Sequence, residues 1–175
     1  MPNAESYDPK LGIERRAEFS ANQLYRYRLD RILPGQGKTA VFIGVNPSTA
    51  SHVIDDPTVK KLFTIGLHHG ITHWILVNKF ALISSSPRAL SLADDPIGPD
   101  CNSAIRRALG EADRVIVGWG ASSKLPLRLR ERWKDVVMMA ADHRLECFGI
   151  CQDGHPRHPL FMPGRSPIIR WKPPA

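Results

Sequence analysis

Two imidazoles, a carboxylate and a guanidinium fall within six residues in Asp153-Gly154-His155-Pro156-Arg157-His158. Imidazole changes charge near neutral pH, so it can shuttle a proton or donate a hydrogen bond to a developing negative charge. The Arg157 guanidinium suits a phosphate, which it can grip through two parallel hydrogen bonds. Pro156 and Pro159 restrict the backbone and pre-organise the loop. The segment predicts a functional loop, with His155 catalytic, His158 contacting a ligand and Arg157 binding phosphate.

A second concentration of useful groups is Gly44-Val45-Asn46-Pro47-Ser48-Thr49-Ala50. Gly44 allows close backbone approach to a ligand, and Pro47 fixes the turn. Asn46 both donates and accepts, and Ser48 and Thr49 carry hydroxyls. The same side chains serve equally in a tight loop that caps its own backbone. Asp55 and Asp56 follow. Asp56 before Pro57 reads as a helix N-cap. Asp55 is open to a role as general base or water-orienting group, or to simple solvation. Asn78 closes an apolar run and must find partners: a base edge read through two hydrogen bonds, or a neighbouring loop.

Two further patterns lead nowhere. Gly37-Lys38-Thr39 lacks the upstream glycine of a phosphate-binding P-loop, since Ile32 occupies that place, and it precedes a strand rather than a helix. Cys147, Cys151, His155 and His158 are zinc-ligand types at a spacing that fits no common zinc site. Neither a metal nor a cofactor is expected.

These groups need a scaffold. Apolar runs at 40–45, 73–78, 114–118 and 145–150 read as buried strands. Between them lie helices near 57–70, 100–110 and 126–139. The alternation predicts an α/β three-layer sandwich around a mainly parallel four-stranded sheet, with residues 24–32 as an N-terminal edge strand that has one wet face. Residues 1–20 read as a polar arm and 21–175 as a single α/β domain. Ligands in such sheets bind beyond the carboxyl ends of the strands. Those ends are 44–49, 78–86, 118–122 and 151–158, which hold the candidates above.

The chain of 175 residues carries 24 Lys and Arg against 17 Asp and Glu, a net charge of +7. That balance favours a polyanionic partner. Basic residues concentrate at 127–134 and again at Arg165, Arg170 and Lys172, with Trp133 and Trp171 beside them for stacking on a base. The alternative for 127–134 is a solvated face laced with ion pairs. The three cysteines are expected as reduced thiols. With no apolar run of membrane-spanning length and no visible signal peptide, a cytoplasmic protein without membrane contact is expected.

Several segments together resemble a bacterial and phage family known only as a domain of unknown function. They are Tyr25-Arg26-Tyr27, the 44–50 loop, Asp55-Asp56-Pro57-Thr58, Val77-Asn78-Lys79-Phe80-Ala81, Trp119-Gly120 and the 153–160 loop. The order of the motifs is also similar to that of the uracil-DNA glycosylase superfamily, which implies a uracil-DNA glycosylase-like fold. By that resemblance Asn46 positions the attacking water, Asn78 reads the flipped base, and His155-Pro156 supports the departing base and grips the backbone. The chain departs from the pattern in lacking the catalytic aspartate of the best-studied branch in this first motif and the four cysteines of the iron–sulfur branches.

The implied function is a hydrolase acting on the N-glycosidic bond of a base in nucleic acid, DNA before RNA, in repair or modification. Catalysis would fall to Asn46, Asp55 and His155. Ligand contacts would come from Gly44, Pro47, Ser48, Thr49, Asn78 and His158, and phosphate binding from Arg157. Two alternatives remain: a non-catalytic module for modified bases or nucleotides, and an enzyme of free nucleosides or nucleotides.

Overall fold

The computed structural model of the chain describes residues 3–174, the side chains of Pro87 and Arg88 excepted. The unbroken apolar runs form strands buried on both faces: β4 (Lys38–Gly44), β5 (Ile71–Asn78), β6 (Arg114–Val117) and β7 (Leu145–Cys147). They pair in parallel, in the order β5-β4-β6-β7. The register sets Gly44 beside Asn78 and Ile43 beside Val117, so the carboxyl ends of neighbouring strands finish together.

The sheet is larger than the sequence implied. On one side it continues antiparallel through β3 (Arg26–Ile32), β2 (Ile13–Phe19) and β1 (Asn3–Asp8), and on the other through the short β8 (Ile169–Arg170). Four of the seven pairings in this eight-stranded sheet are antiparallel, which corrects the expectation of a mainly parallel four-stranded sheet.

The expected edge strand is interior: Leu29 in β3 pairs with Ala17 on one side and Leu76 on the other. Its charged residues do not mark a wet face because they neutralise one another. Arg28 bonds Asp30 at 2.7 Å, Asp30 bonds His73 at 2.9 Å, and Arg31 bonds Asp55 at 2.6 Å. Paired charges can be buried where single ones cannot. The described part of the expected polar arm, from residue 3, is the β1–β2 hairpin. Ile13, Arg15 and Ala17 are buried and alternate with exposed residues, a pattern diluted at sequence level by the charges around it.

Helices cover both faces. α1 (Pro57–Leu67) begins as its sequence requires, with the Asp56 carboxylate accepting from the Val59 N–H at 2.9 Å and proline at the first helical position. Its Val59, Leu62 and Ile65 pack with Phe42, Trp74 and Leu76 on one face of the sheet. α3 (Cys101–Leu109) and α4 (Arg132–Met139) pack Ile105, Ala108, Trp133 and Val136 against Val41, Val77, Val115 and Val117 on the other. Each such fully buried aliphatic side chain contributes about 1.5–3 kcal/mol. A short helix, α2 (Pro87–Leu92), interrupts the long connection after β5. The expected helix at 126–139 is split, with a tight turn at Leu127–Leu129 ahead of α4. None of the helices among the described residues is long and apolar enough to cross a membrane.

Candidate ligand-binding site

All four parallel-strand ends open into one cavity of about 450 Å³. Gly44, Val45, Asn46 and Ser48 line it after β4. Asn78, Ser84 and Ser85 line it after β5, and Trp119, Gly120 and Ala121 after β6. His158, Leu160 and Phe161 close it from the loop beyond β7.

Phe42 and Gly44 form the floor, and Gly118 packs behind the Phe42 ring. A methyl group on Gly118 would lie 2.6 Å from Cε2 of Phe42, and one on Gly44 would lie 2.8 Å from Oδ1 of Asn78 and 3.2 Å from the Phe42 ring. Only glycine leaves room for the flat Phe42 ring and the Asn78 amide to lie against the strand ends. Among the described residues that amide makes no hydrogen bond. It is a donor–acceptor pair at the edge of an aromatic floor, with its hydrogen-bonding capacity unused.

Asn46 is anchored differently. Its Nδ2 donates to the carbonyls of Pro47 at 2.9 Å and Ser84 at 2.6 Å, which leaves Oδ1 as the group free to accept. Pro47 is buried, and its carbonyl takes the Ser84 N–H at 3.0 Å. It shapes the loop rather than the lining. Thr49 is exposed and lies outside the lining. Both readings of the loop therefore hold, divided by residue: Gly44, Asn46 and Ser48 face the cavity, while Pro47 builds the turn.

Of the two histidines only His158, the expected ligand contact, reaches the cavity. His158 lines the cavity, and its Nδ1 accepts from the Leu160 N–H at 3.3 Å, so Nε2 carries the ring proton when the ring is neutral. Burial lowers its pKa, with nearby Asp56 opposing and Lys124 adding to the shift. His155 is 5% exposed and is not in the lining. It sits behind Trp119 and edge-on to Trp133, ring centroids 5.3 Å apart. Burial lowers its pKa as well.

Asp55 is not in the cavity either. Arg31 at 2.6 Å and Arg15 at 3.2 Å hold its carboxylate in a buried network that also takes in Asp8. Arg157 is exposed, outside the lining, and donates from Nε to the Ile150 carbonyl at 3.2 Å.

A family model described as "Protein of unknown function (DUF1643)" matches residues 26–160. The chain belongs to the DUF1643 family. The match begins at Arg26 and ends at Leu160, both of which line the cavity, and Phe161 is the one lining residue outside it. Neither a curated protein nor a solved structure matches the chain.

Sequence reasoning missed several lining residues of this DUF1643 chain. Arg26, Asp56, Thr58 and Lys124 bring charge and a hydroxyl to the cavity. Asp56 faces it while also capping α1 through Oδ1, so one carboxylate oxygen does structural work and the other is left over. The available signal was Arg26 itself, a charged residue in a strand whose neighbour Tyr27 is buried.

The basic segment of the DUF1643 chain does other work. Arg128 donates to the carbonyls of Leu90, Ser91 and Ala93, and Arg130 to those of Ser123 and Leu125. Arg132 is buried against the Lys79 carbonyl and Asp135. Trp133 and Trp171, expected as stacking platforms, are buried at 8% and 2% exposure. The Trp171 indole donates to the Gly154 carbonyl at 2.8 Å.

Proposed function

We propose that the cavity recognises a single nucleobase and that the protein acts on the N-glycosidic bond carrying it. The observation that carries this reading is the unpartnered Asn78 amide at the edge of the Phe42 floor. An amide reads a base edge with paired hydrogen bonds, and an aromatic face stacks on the base plane. A cavity of about 450 Å³ is in the range of small-molecule sites.

The reaction would be hydrolysis. Water adds to the sugar carbon as the carbon–nitrogen bond breaks, and the water's proton passes through the enzyme to the departing base. The Asn46 Oδ1 and the second oxygen of Asp56 are the acceptors available to hold that water. The His158 Nε2–H is a donor for the negative charge on the leaving base. In this reading His158 takes the role that the resemblance gave to His155, and Asp56 the role that the residues alone left open for Asp55.

A second reading, recognition without turnover, draws support from the same placement, since two of the three expected catalytic residues lie elsewhere. The deciding experiment incubates the protein with nucleosides, nucleotides and oligonucleotides carrying ordinary and modified bases. Base release is followed by chromatography and binding by calorimetry. Release that is lost in His158→Ala and Asn78→Ala supports hydrolysis. Binding that needs Asn78 without release supports the second reading. If no base-containing compound binds, or if Asn78→Ala binds like the parent, base recognition is wrong.

A further inference from the structure

Among the described residues four arginines are buried: Arg15, Arg26, Arg31 and Arg132. Three have a carboxylate in contact: Arg15 has Asp8 and Asp55, Arg31 has Asp55, and Arg132 has Asp135. Arg26 has none. It is 4% exposed, and among the described residues its guanidinium donates to the Ala50 carbonyl alone. A buried guanidinium without a counter-ion is costly, because desolvation disfavours its charged form. Burial here lowers its pKa to about 10, with Arg31 adding to the shift and Asp56 opposing it.

Besides holding the Ala50 carbonyl, the side chain borders an open space. Arg26 lines the cavity together with Lys124 and the hydroxyls of Ser48, Thr58 and Ser85. Among the described residues none of those three hydroxyls makes a hydrogen bond. Asp56 is the carboxylate that shares the lining. Among the described residues it forms no ion pair with Arg26, and one of its oxygens is committed to the Val59 N–H. With His158 neutral, two cations and one anion leave the cavity with a net positive charge. A tetrahedral anion fits that set: the guanidinium supplies parallel N–H donors and the hydroxyls supply the rest.

We propose that Arg26 binds the phosphate of the ligand, so that the cavity takes a nucleotide unit rather than a free base or nucleoside. This rests on the nucleobase reading above for the identity of the remainder of the ligand. The phosphate chemistry is common to a monoester on a free nucleotide and a diester within a nucleic acid.

The test compares the parent with Arg26→Gln and Asn78→Ala in phosphate-free buffer. The probes are inorganic phosphate, nucleosides, nucleoside monophosphates and short oligonucleotides. Inorganic phosphate should raise the melting temperature of the parent and not that of Arg26→Gln. Monophosphates or oligonucleotides should bind the parent at least about tenfold tighter than the matching nucleosides, a factor equivalent to about 1.4 kcal/mol, and Arg26→Gln should lose that advantage. A preference for monophosphates assigns the monoester, and a preference for oligonucleotides the diester. Phosphate protection that persists in Arg26→Gln overturns the proposal, as does equal affinity for nucleosides and nucleotides. If Asn78→Ala keeps phosphate protection and base selectivity alike, the base reading fails while the phosphate site stands. Should Arg26→Gln not fold, Asp56→Asn replaces it. That variant keeps the capping oxygen and removes the opposing charge, so phosphate affinity should rise several-fold, and unchanged affinity counts against Arg26.

Discussion

The indole N–H of Trp119 donates to Nδ1 of His155 at 3.2 Å. That bond fixes the proton of neutral His155 on Nε2 and makes Trp119 the wall between this histidine and the cavity. The histidine at the centre of the most chemically dense segment of the sequence is thereby a positioning residue for an aromatic wall. His155→Ala should cost about 1–3 kcal/mol, the penalty of leaving a buried donor unsatisfied, with a smaller effect on ligand affinity. His158→Ala should show the reverse. Thermal melts and ligand titrations of both variants check this.

The two histidines also set an acid limit. Burial lowers both pKa values, so the folded state holds neutral rings while the unfolded chain takes protons below its ordinary histidine value of about 6.5. Their contribution is complete above about pH 6.5 and is lost as the pH falls through the lowered folded values. Urea melts from pH 8 to pH 5 should show a fall that shrinks in the double variant His155→Gln, His158→Gln. An equal fall in both proteins would sink the assignment.

Asp55→Asn removes the charge shared by Arg31, which is fully buried, and Arg15. Breaking a buried pair from one side costs about 3–5 kcal/mol. The loss should appear as a lower urea midpoint, with any ligand affinity in the surviving folded fraction little changed. A stable variant with lost affinity would return Asp55 to the functional site.

Gly118→Ala places a methyl group 2.6 Å from Cε2 of Phe42 in a packed floor. Overpacking of this kind costs about 1–3 kcal/mol, and a tilted Phe42 ring should weaken base binding as well. Phe42→Leu combined with Gly118→Ala should recover the stability and not the binding, as read by melting temperature and calorimetry.

Lys79 is 1% exposed and has no ion pair among the described residues. Its ammonium lies 5.2 Å from the Trp119 ring centroid. Burial lowers its pKa to about 7, with Arg132 adding to the shift. Between about pH 7 and the ordinary lysine value the unfolded chain binds the extra proton, so stability should rise with pH at a slope approaching about 1.4 kcal/mol per pH unit. Buried Cys101, whose pKa is raised to about 11, acts in the opposite sense above pH 9. Chemical denaturation of Lys79→Met at pH 7 and 8.5 should show that slope removed.

The parallel strands and the cap of α1 were readable because apolar runs and an Asp-Pro pair act locally. So was the location of the cavity, since strand polarity alone brings the ends after Gly44, Asn78, Val117 and Cys147 together. Long-range charge pairing was not readable. Arg15, Arg31 and Asp55 come from three different segments, as Asp30 and His73 come from two, and each looks solvated until its partner is placed beside it. The same blindness put Asp55 in the place of Asp56 and added the buried His155 to His158. Neighbouring residues on an extended or turning chain point in different directions, and composition alone cannot choose between them.

Residues 45–56 contain neither strand nor helix, yet side chains from β1 and β3 clasp four carbonyls of that stretch. Arg26 takes Ala50, Arg31 takes Ser51 and Ile54, and Ser6 takes His52. Ser48 is therefore delivered to the cavity by a segment stitched to the sheet rather than by a lid that must first order. Such a wall adds no opening or closing step to ligand capture. In stopped-flow mixing the observed rate should climb linearly with ligand concentration, without the plateau that a slow conformational step imposes.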